Sequence, residues 1–221
     1  MAKSEKKRKS VIREYVEAIT IAVLLALFIR YFVVQAFKIP SGSMKPTLLV
    51  GDYLMANKFI YGIKNPFTGK VVIPISSPKR GDIVVFPNPR EPQIDFIKRI
   101  IGVAGDIIEI RDKKLYRNNQ LAKDSHACFT APDEIIPNWG VGASPRDNLA
   151  PIVVPEGKVF VMGDNRDNSY DSRFWGFVDV DTIQGKAFIL YWSWEMNPDQ
   201  FWLAPARFET IRWGRIGEII H

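Results

Sequence analysis

The chain has 221 residues, enough for one sizeable domain with its own core plus an appendage, and carries 30 basic against 24 acidic side chains. The excess of +6 is local: Lys3, Lys6, Lys7, Arg8, Lys9 and Arg13 face only Glu5 in residues 1–13, leaving 24 basic and 23 acidic residues elsewhere. That balance implies no phosphate-binding face, so no nucleic acid is expected as a partner, and the single Cys128 excludes an intramolecular disulfide.

Residues 1–15 form a basic tail expected to remain solvated. From Ala18 to Ile29 runs an unbroken apolar stretch of 12 residues, which reaches 20 when extended across Arg30 to Phe37. Its Leu, Ile, Val and Phe side chains contribute about −4 to −7 kcal/mol to membrane insertion, against at most about 3 kcal/mol for Arg30. A transmembrane helix is therefore expected over residues 16–37. Because the basic residues precede it, the N-terminus belongs in the cytoplasm and residues 38–221 outside it. A competing reading is that Val34-Gln35-Ala36 marks a signal-cleavage site and the segment is removed.

Beyond Phe37, alternation and turn residues replace helical periodicity. Strands are expected over residues 52–59, 82–86, 96–103, 106–111, 158–162 and 187–192, a mainly β pattern. Glycine–aspartate turns punctuate them at Gly51-Asp52, Gly81-Asp82, Gly105-Asp106 and Gly163-Asp164. Residues 112–157, with five prolines and many polar residues, read as an irregular insertion able to hold a hairpin. His126 and Cys128 lie inside it. A zinc site would need further ligands at suitable spacing, so no metal or other cofactor is expected.

Lys98 stands out chemically. In Ile94-Asp95-Phe96-Ile97-Lys98-Arg99-Ile100, alternation puts it on one face with Ile94, Phe96 and Ile100. A lysine held against apolar side chains loses hydration of its charged form, so its pKa falls and the amine can act as a general base. The plainer alternative is a gatekeeper charge on an adhesive strand. A partner nucleophile is available in Pro40-Ser41-Gly42-Ser43-Met44. In extended backbone Ser41 and Ser43 face the same side, and Gly42 leaves room for close approach of a substrate. The Ser43 N–H and the Ser41 hydroxyl could then bind an oxyanion; equally, Pro-Ser-Gly-Ser could be a simple turn. Neither His126 nor His221 is well placed for a conventional triad, whereas a Ser–Lys pair needs no imidazole. In Gly163-Asp164-Asn165-Arg166-Asp167-Asn168-Ser169-Tyr170-Asp171-Ser172-Arg173, Ser169 could orient the lysine amine. An ion pair of Asp171 with Arg173 or Arg166 could fix the loop.

These three blocks, taken in chain order and with Lys79-Arg80-Gly81-Asp82-Ile83-Val84-Val85-Phe86 as a fourth between the first two, resemble the bacterial type I signal peptidases, the leader peptidase family of Ser–Lys hydrolases. The resemblance covers most of residues 16–111 and 153–221. It implies Ser43 as nucleophile, Lys98 as base, Ser41 and Ser43 as oxyanion donors, and Ser169, Asp171 and Arg173 as supports. Phe37, Ile39 and Ile97 would line the pockets for small substrate residues. The implied substrates are the signal peptides of exported preproteins, cut after an Ala-X-Ala-like site at the surface of the lipid bilayer of the bacterial cytoplasmic membrane. The implied fold is two packed antiparallel sheets with extensive coil, tethered by one N-terminal transmembrane helix. Trp192, Trp194, Phe201, Trp202 and Trp213 would supply either a patch against lipid head groups or core. Two other readings use part of the same sequence: a LexA-like self-cleaving regulator, and a membrane-anchored binding or assembly protein without activity.

Overall fold

Most of the expected strands are present, and the largest departure lies where the helix was expected to end. The computed structural model describes residues 11–28, 33–65, 71–140, 142–195 and 205–221. Helix α1 spans Val11–Phe28, and Val34–Lys38 then forms strand β1, so the helix expected over 16–37 gives way to sheet at its C-terminal end. The reason is tertiary. β2 (Asp52–Asn57) presents an open edge to a stretch containing Val34 and Phe37, and the two pair antiparallel with Phe37 opposite Leu54. The Val34-Gln35-Ala36 cleavage pattern thus lies within that strand. Arg30 falls outside the described residues, among which no helix is long and apolar enough to cross a membrane.

The remaining strands are β3 (Gly62–Lys64), β4 (Val71–Pro74), β5 (Ile83–Pro87), β6 (Asp95–Val103), β7 (Ile107–Arg111), β8 (Lys114–Arg117), β9 (Gln120–Leu121), β10 (Leu149–Val153), β11 (Lys158–Met162), β12 (Val178–Asp179) and β13 (Gly185–Ser193). A short helix, α2 (Ser172–Trp175), precedes β12. A seven-stranded sheet has the order β1-β2-β13-β5-β6-β11-β12, a four-stranded sheet the order β10-β7-β8-β9, and β3 and β4 form a separate hairpin. The paired strands are antiparallel.

Three of the glycine–aspartate turns use one device. Gly51, Gly81 and Gly105 take φ of 93°, 91° and 86°, a left-handed conformation that costs other residues more. Each following aspartate donates its N–H to the carbonyl three residues back. Its carboxylate accepts that same residue's N–H: Leu49 at 2.8 Å, Lys79 at 2.9 Å and Val103 at 2.9 Å. The fourth, Gly163, serves another purpose described below.

Alternation feeds three apolar clusters. Ile83 and Val85 pack with Ile39, Met44, Leu48 and Leu54, while Val84 and Phe86 pack with Ile100, Val159 and Val161. The third cluster joins the two larger sheets: Ile101, Phe160 and Met162 meet Ile108, Ile110, Leu115 and Val154. The expected packing of two antiparallel sheets is therefore present, with the seven-stranded one carrying the site. Phe160 is fully buried at that junction, its ring 6.2 Å from that of Phe177. Phe160→Ala should lower the unfolding free energy by about 3–5 kcal/mol, the usual cost of an aromatic cavity. Urea unfolding of the whole chain in detergent measures it, and a loss below about 1 kcal/mol would mean the junction collapses to fill the gap.

Candidate active site

Ser43 lies in the turn after β1, and its neighbours hold that turn down. Met44 and Leu48 are buried in the first cluster, Leu48 N–H donates to the Met44 carbonyl at 2.9 Å, and Gly51 N–H to that of Ile39 at 3.1 Å. Lys98 stands in β6 opposite Val84, with Phe96 and Ile100 in the same cluster as Val84, which is the face expected from alternation. Its amine lies 5.3 Å from the Phe96 ring centre and 2.6 Å from Ser43 Oγ. The side chain is only 4 % exposed. Burial pushes its pKa down to about 8; Asp171 pulls it back up, Arg173 lowers it and Asp164 raises it.

The groups expected to donate to an oxyanion lie beside this pair. Ser41 Oγ is 3.4 Å from Ser43 Oγ, and the Ser43 N–H has no acceptor among the described residues. Asn165 occupies the neighbouring carbonyls instead, its N–H reaching Ser43 O at 3.0 Å and its Nδ2 reaching Gly42 O at 3.1 Å. A cleft of about 350 Å³ opens over the pair, lined by Ile39 to Met44 without Gly42, by Ile94 to Lys98, and by Asn168 and Tyr170. Ile39 and Ile97 are thus cleft residues. Phe37 is not: it packs beside them against the first cluster, because β1 carries it onto the sheet before the chain turns to Ser43.

The supporting loop departs from expectation in one residue. Ser169 is buried, but its hydroxyl oxygen accepts the Gly163 N–H at 3.2 Å and pairs with Asp171; no hydrogen bond joins it to Lys98. The Gly163 N–H also reaches Asp171 Oδ2, at 3.1 Å. Of the two partners considered for Asp171, Arg173 is the one found, with both oxygens held at 2.8 Å. Arg166 pairs with Asp124 instead. His126 and His221 are exposed and neither lines the cleft.

Two features were missed in the sequence. Arg99, the neighbour of Lys98, forms a buried bidentate pair with Asp164, Nε to Oδ1 and Nη2 to Oδ2 both at 2.8 Å. Thr47 donates to the same carboxylate at 2.6 Å, so the pair links β6 to the nucleophile turn. Consecutive bases inside one apolar strand were the available signal, since the second must find an acid. Gly163 is the other. A methyl on it would overlap Ser169 Oγ and the Ser43 carbonyl oxygen.

Sequence comparison agrees with this geometry. The family model described as signal peptidase, peptidase S26, matches residues 12–192. The chain belongs to that family. It is 38 % identical to signal peptidase I of Pseudomonas aeruginosa, over 94 % of this chain and 79 % of that protein. With signal peptidase I of Aquifex aeolicus it shares 36 % identity, over 82 % of this chain and 84 % of that one. Within this peptidase, Gly163 is where the Ser43 turn and the loop of residues 163–173 touch. Gly163→Ala must part them, and a shift near 1 Å at a reacting centre costs about a hundredfold in rate. Turnover of a model preprotein by a folded Gly163→Ala enzyme should fall to that degree; wild-type turnover would show that the contact is not needed.

Proposed function

We propose that this peptidase removes signal peptides from exported preproteins through an acyl-enzyme, with Ser43 as nucleophile and Lys98 as general base. The observation that carries this reading is the 2.6 Å approach of a buried lysine amine to a serine hydroxyl in an open cleft. With Lys98 neutral, the Ser43 hydroxyl donates its proton to Nζ as Oγ attacks the scissile carbonyl. The Ser43 N–H and Ser41 hydroxyl donate to the developing oxyanion. The lysinium then protonates the leaving amine, and the neutral amine that results activates the water that releases the acyl group. Arg173 and Asp171 neutralise each other and hold the loop, and Ser169 fixes the Gly163 backbone.

Backbone geometry supports an extended substrate. β11 ends where Met162 faces Arg99, so among the described residues Asp95 to Lys98 are paired on the β5 side alone and offer an edge beside the nucleophile. Ile39 and Ile97 narrow the cleft there, favouring the small side chains of an Ala-X-Ala-like site. Membrane anchoring completes the reading, with the N-terminus cytoplasmic and the catalytic domain on the extracytoplasmic face. It rests on the family and on α1, whose Val16, Ile19, Val23, Leu24 and Leu27 are all exposed, a run of apolar side chains that suits a cover of lipid. Trp192, Trp194 and Trp213 form an edge-to-face series at 6.2 and 6.3 Å, with Trp213 65 % exposed, which suits contact with lipid head groups; Phe201 and Trp202 lie outside the described residues.

Only the neutral amine accepts a proton, so below about pH 8 activity should fall about tenfold per pH unit, as Lys98 becomes charged. Lys98→Arg cannot give up its proton and should lose at least about a thousandfold, as should Ser43→Ala, with the double variant no worse because the two act as one unit. Circular dichroism checks folding, since an unpaired buried guanidinium is costly. Substantial turnover by a folded Lys98→Arg enzyme would mean the base lies elsewhere.

Leucine in place of alanine at the −1 position of a model preprotein tests the pocket. A soft pocket separates residues of similar chemistry by only about 1–3 kcal/mol, so near-complete rejection is the sign of rigid walls. Equal cleavage of the two substrates would remove Ile39 and Ile97 from the specificity reading.

A further inference from the structure

Residues 112–157 lie outside the blocks that carry the family resemblance, yet they hold one side of the supporting loop along much of its length. Cys128 runs beside Asn165 as a one-residue parallel bridge: its N–H donates to Asp164 O at 2.7 Å, and its carbonyl accepts the Arg166 N–H at 2.8 Å. Asn165 in turn touches Gly42 and Ser43, so residues 164–166 are sandwiched between the insertion and the nucleophile turn. Two charged side chains of the insertion complete the grip. Asp124 takes both terminal nitrogens of the buried Arg166, whose Nε holds the Gly163 carbonyl at 3.1 Å. The Lys113 amine donates to Asp167 Oδ1 and lies 3.5 Å from Asp147, while Asp167 Oδ2 accepts the Ala131 N–H at 2.8 Å.

Lys113 has a second peculiarity. It and Asp112 form the two-residue turn between β7 and β8, with φ of 66° and 46°, where asparagine and glycine are the usual occupants. A lysine is tolerated there although its backbone is disfavoured, and its side chain is nearly buried against Asp147 and Asp167. Further along, the Arg146 carbonyl accepts from Arg173 at 2.8 Å, tying the insertion to the partner of Asp171.

We infer that the insertion positions the catalytic centre: Lys113 and Asp124, acting through Asp167 and Arg166, hold residues 163–173 against the nucleophile turn and so set the rate of the chemical step. This rests on the Ser43–Lys98 reading. Both are positioning residues, remote from the cleft, and the loop they hold carries Asp164, Asp171 and Arg173, the charged groups that act on Lys98.

The test uses the full chain in detergent micelles with a model preprotein, comparing Lys113→Met, Lys113→Arg and Asp124→Asn. Methionine keeps the length and the turn strain of lysine without its charge, and asparagine keeps the shape of aspartate. Lys113→Met and Asp124→Asn should lower kcat by about ten- to a hundredfold with KM within about twofold, as misplacement without lost binding requires. The acid limb of the pH profile should move, and Lys113→Arg should recover most of kcat. Folded variants with kcat within twofold of wild type would overturn the role. So would a loss matching the unfolded fraction at the assay temperature, with the acid limb unmoved. Ser43→Ala separates the two readings: if it is inactive while Lys113→Met is unimpaired, positioning alone fails, whereas turnover in Ser43→Ala overturns the dyad and this role with it.

Discussion

The site depends on keeping a lysine amine dry beside a serine. Burying Lys98 disfavours its charged form, and on the proposed mechanism the neutral amine is the useful one. The sign of the linkage follows. With a folded pKa of about 8 against 10.5, the unfolded chain holds more protons between those values, so this group adds stability as pH rises through that window. Below it, the penalty of charging Lys98 is borne in full. The next residue meets the same problem the opposite way. Arg99 cannot discharge, so it is paired bidentately with Asp164 and its remaining nitrogen donates to Gly81 O and His221 O. One strand thus carries two adjacent buried bases, one kept neutralisable and one fully compensated.

That division organises the loops. Asp164 answers Arg99 and Thr47, its neighbour Asn165 answers the carbonyls of Gly42 and Ser43, and Gly163 closes the gap to Ser169 and Asp171. Each residue of Gly163-Asp164-Asn165 therefore has a separate structural partner. A serine hydroxyl and a lysine amine brought within 2.6 Å by two unconnected segments need such a bracket, because neither segment can sense the other through its own sequence.

What could be read in the sequence was whatever is local. The strands over 52–57, 83–87, 95–103 and 107–111, the glycine–aspartate turns, and the face on which Lys98 sits all follow from alternation and turn chemistry. What could not be read was settled by partners distant in sequence. Val34–Lys38 is strand because β2 lies beside it, and Phe37 misses the cleft for the same reason. Ser169 binds the Gly163 N–H and the Asp171 carboxylate rather than Lys98. In the insertion, prolines and polar turns hide β8, β9 and β10, three of the four strands of the second sheet. Its hairpin turn at Asp112-Lys113 lacks the expected glycine, and its grip on the loop comes from ion pairs 42 and 54 residues apart.

β1 gives the departure from the expected helix a consequence for function. A flexible segment between Val34 and Ser43 would let the Ser43 hydroxyl wander relative to the sheet. Instead the chain enters the seven-stranded sheet at Val34, stays registered against β2 through Lys38, and is still bonded at Ile39, whose N–H donates to Asp52 O at 2.8 Å. Five strand residues span about 16 Å at the usual rise, and the turn bearing Ser43 follows at once. On the membrane-anchored reading, the reach of the chain from Val34 to the cleft is therefore fixed by sheet hydrogen bonds rather than by chain entropy. A substrate held in the same bilayer must, on that reading, bring its scissile bond to a cleft fixed on the sheet, a positional requirement beside the chemical one proposed for Ile39 and Ile97.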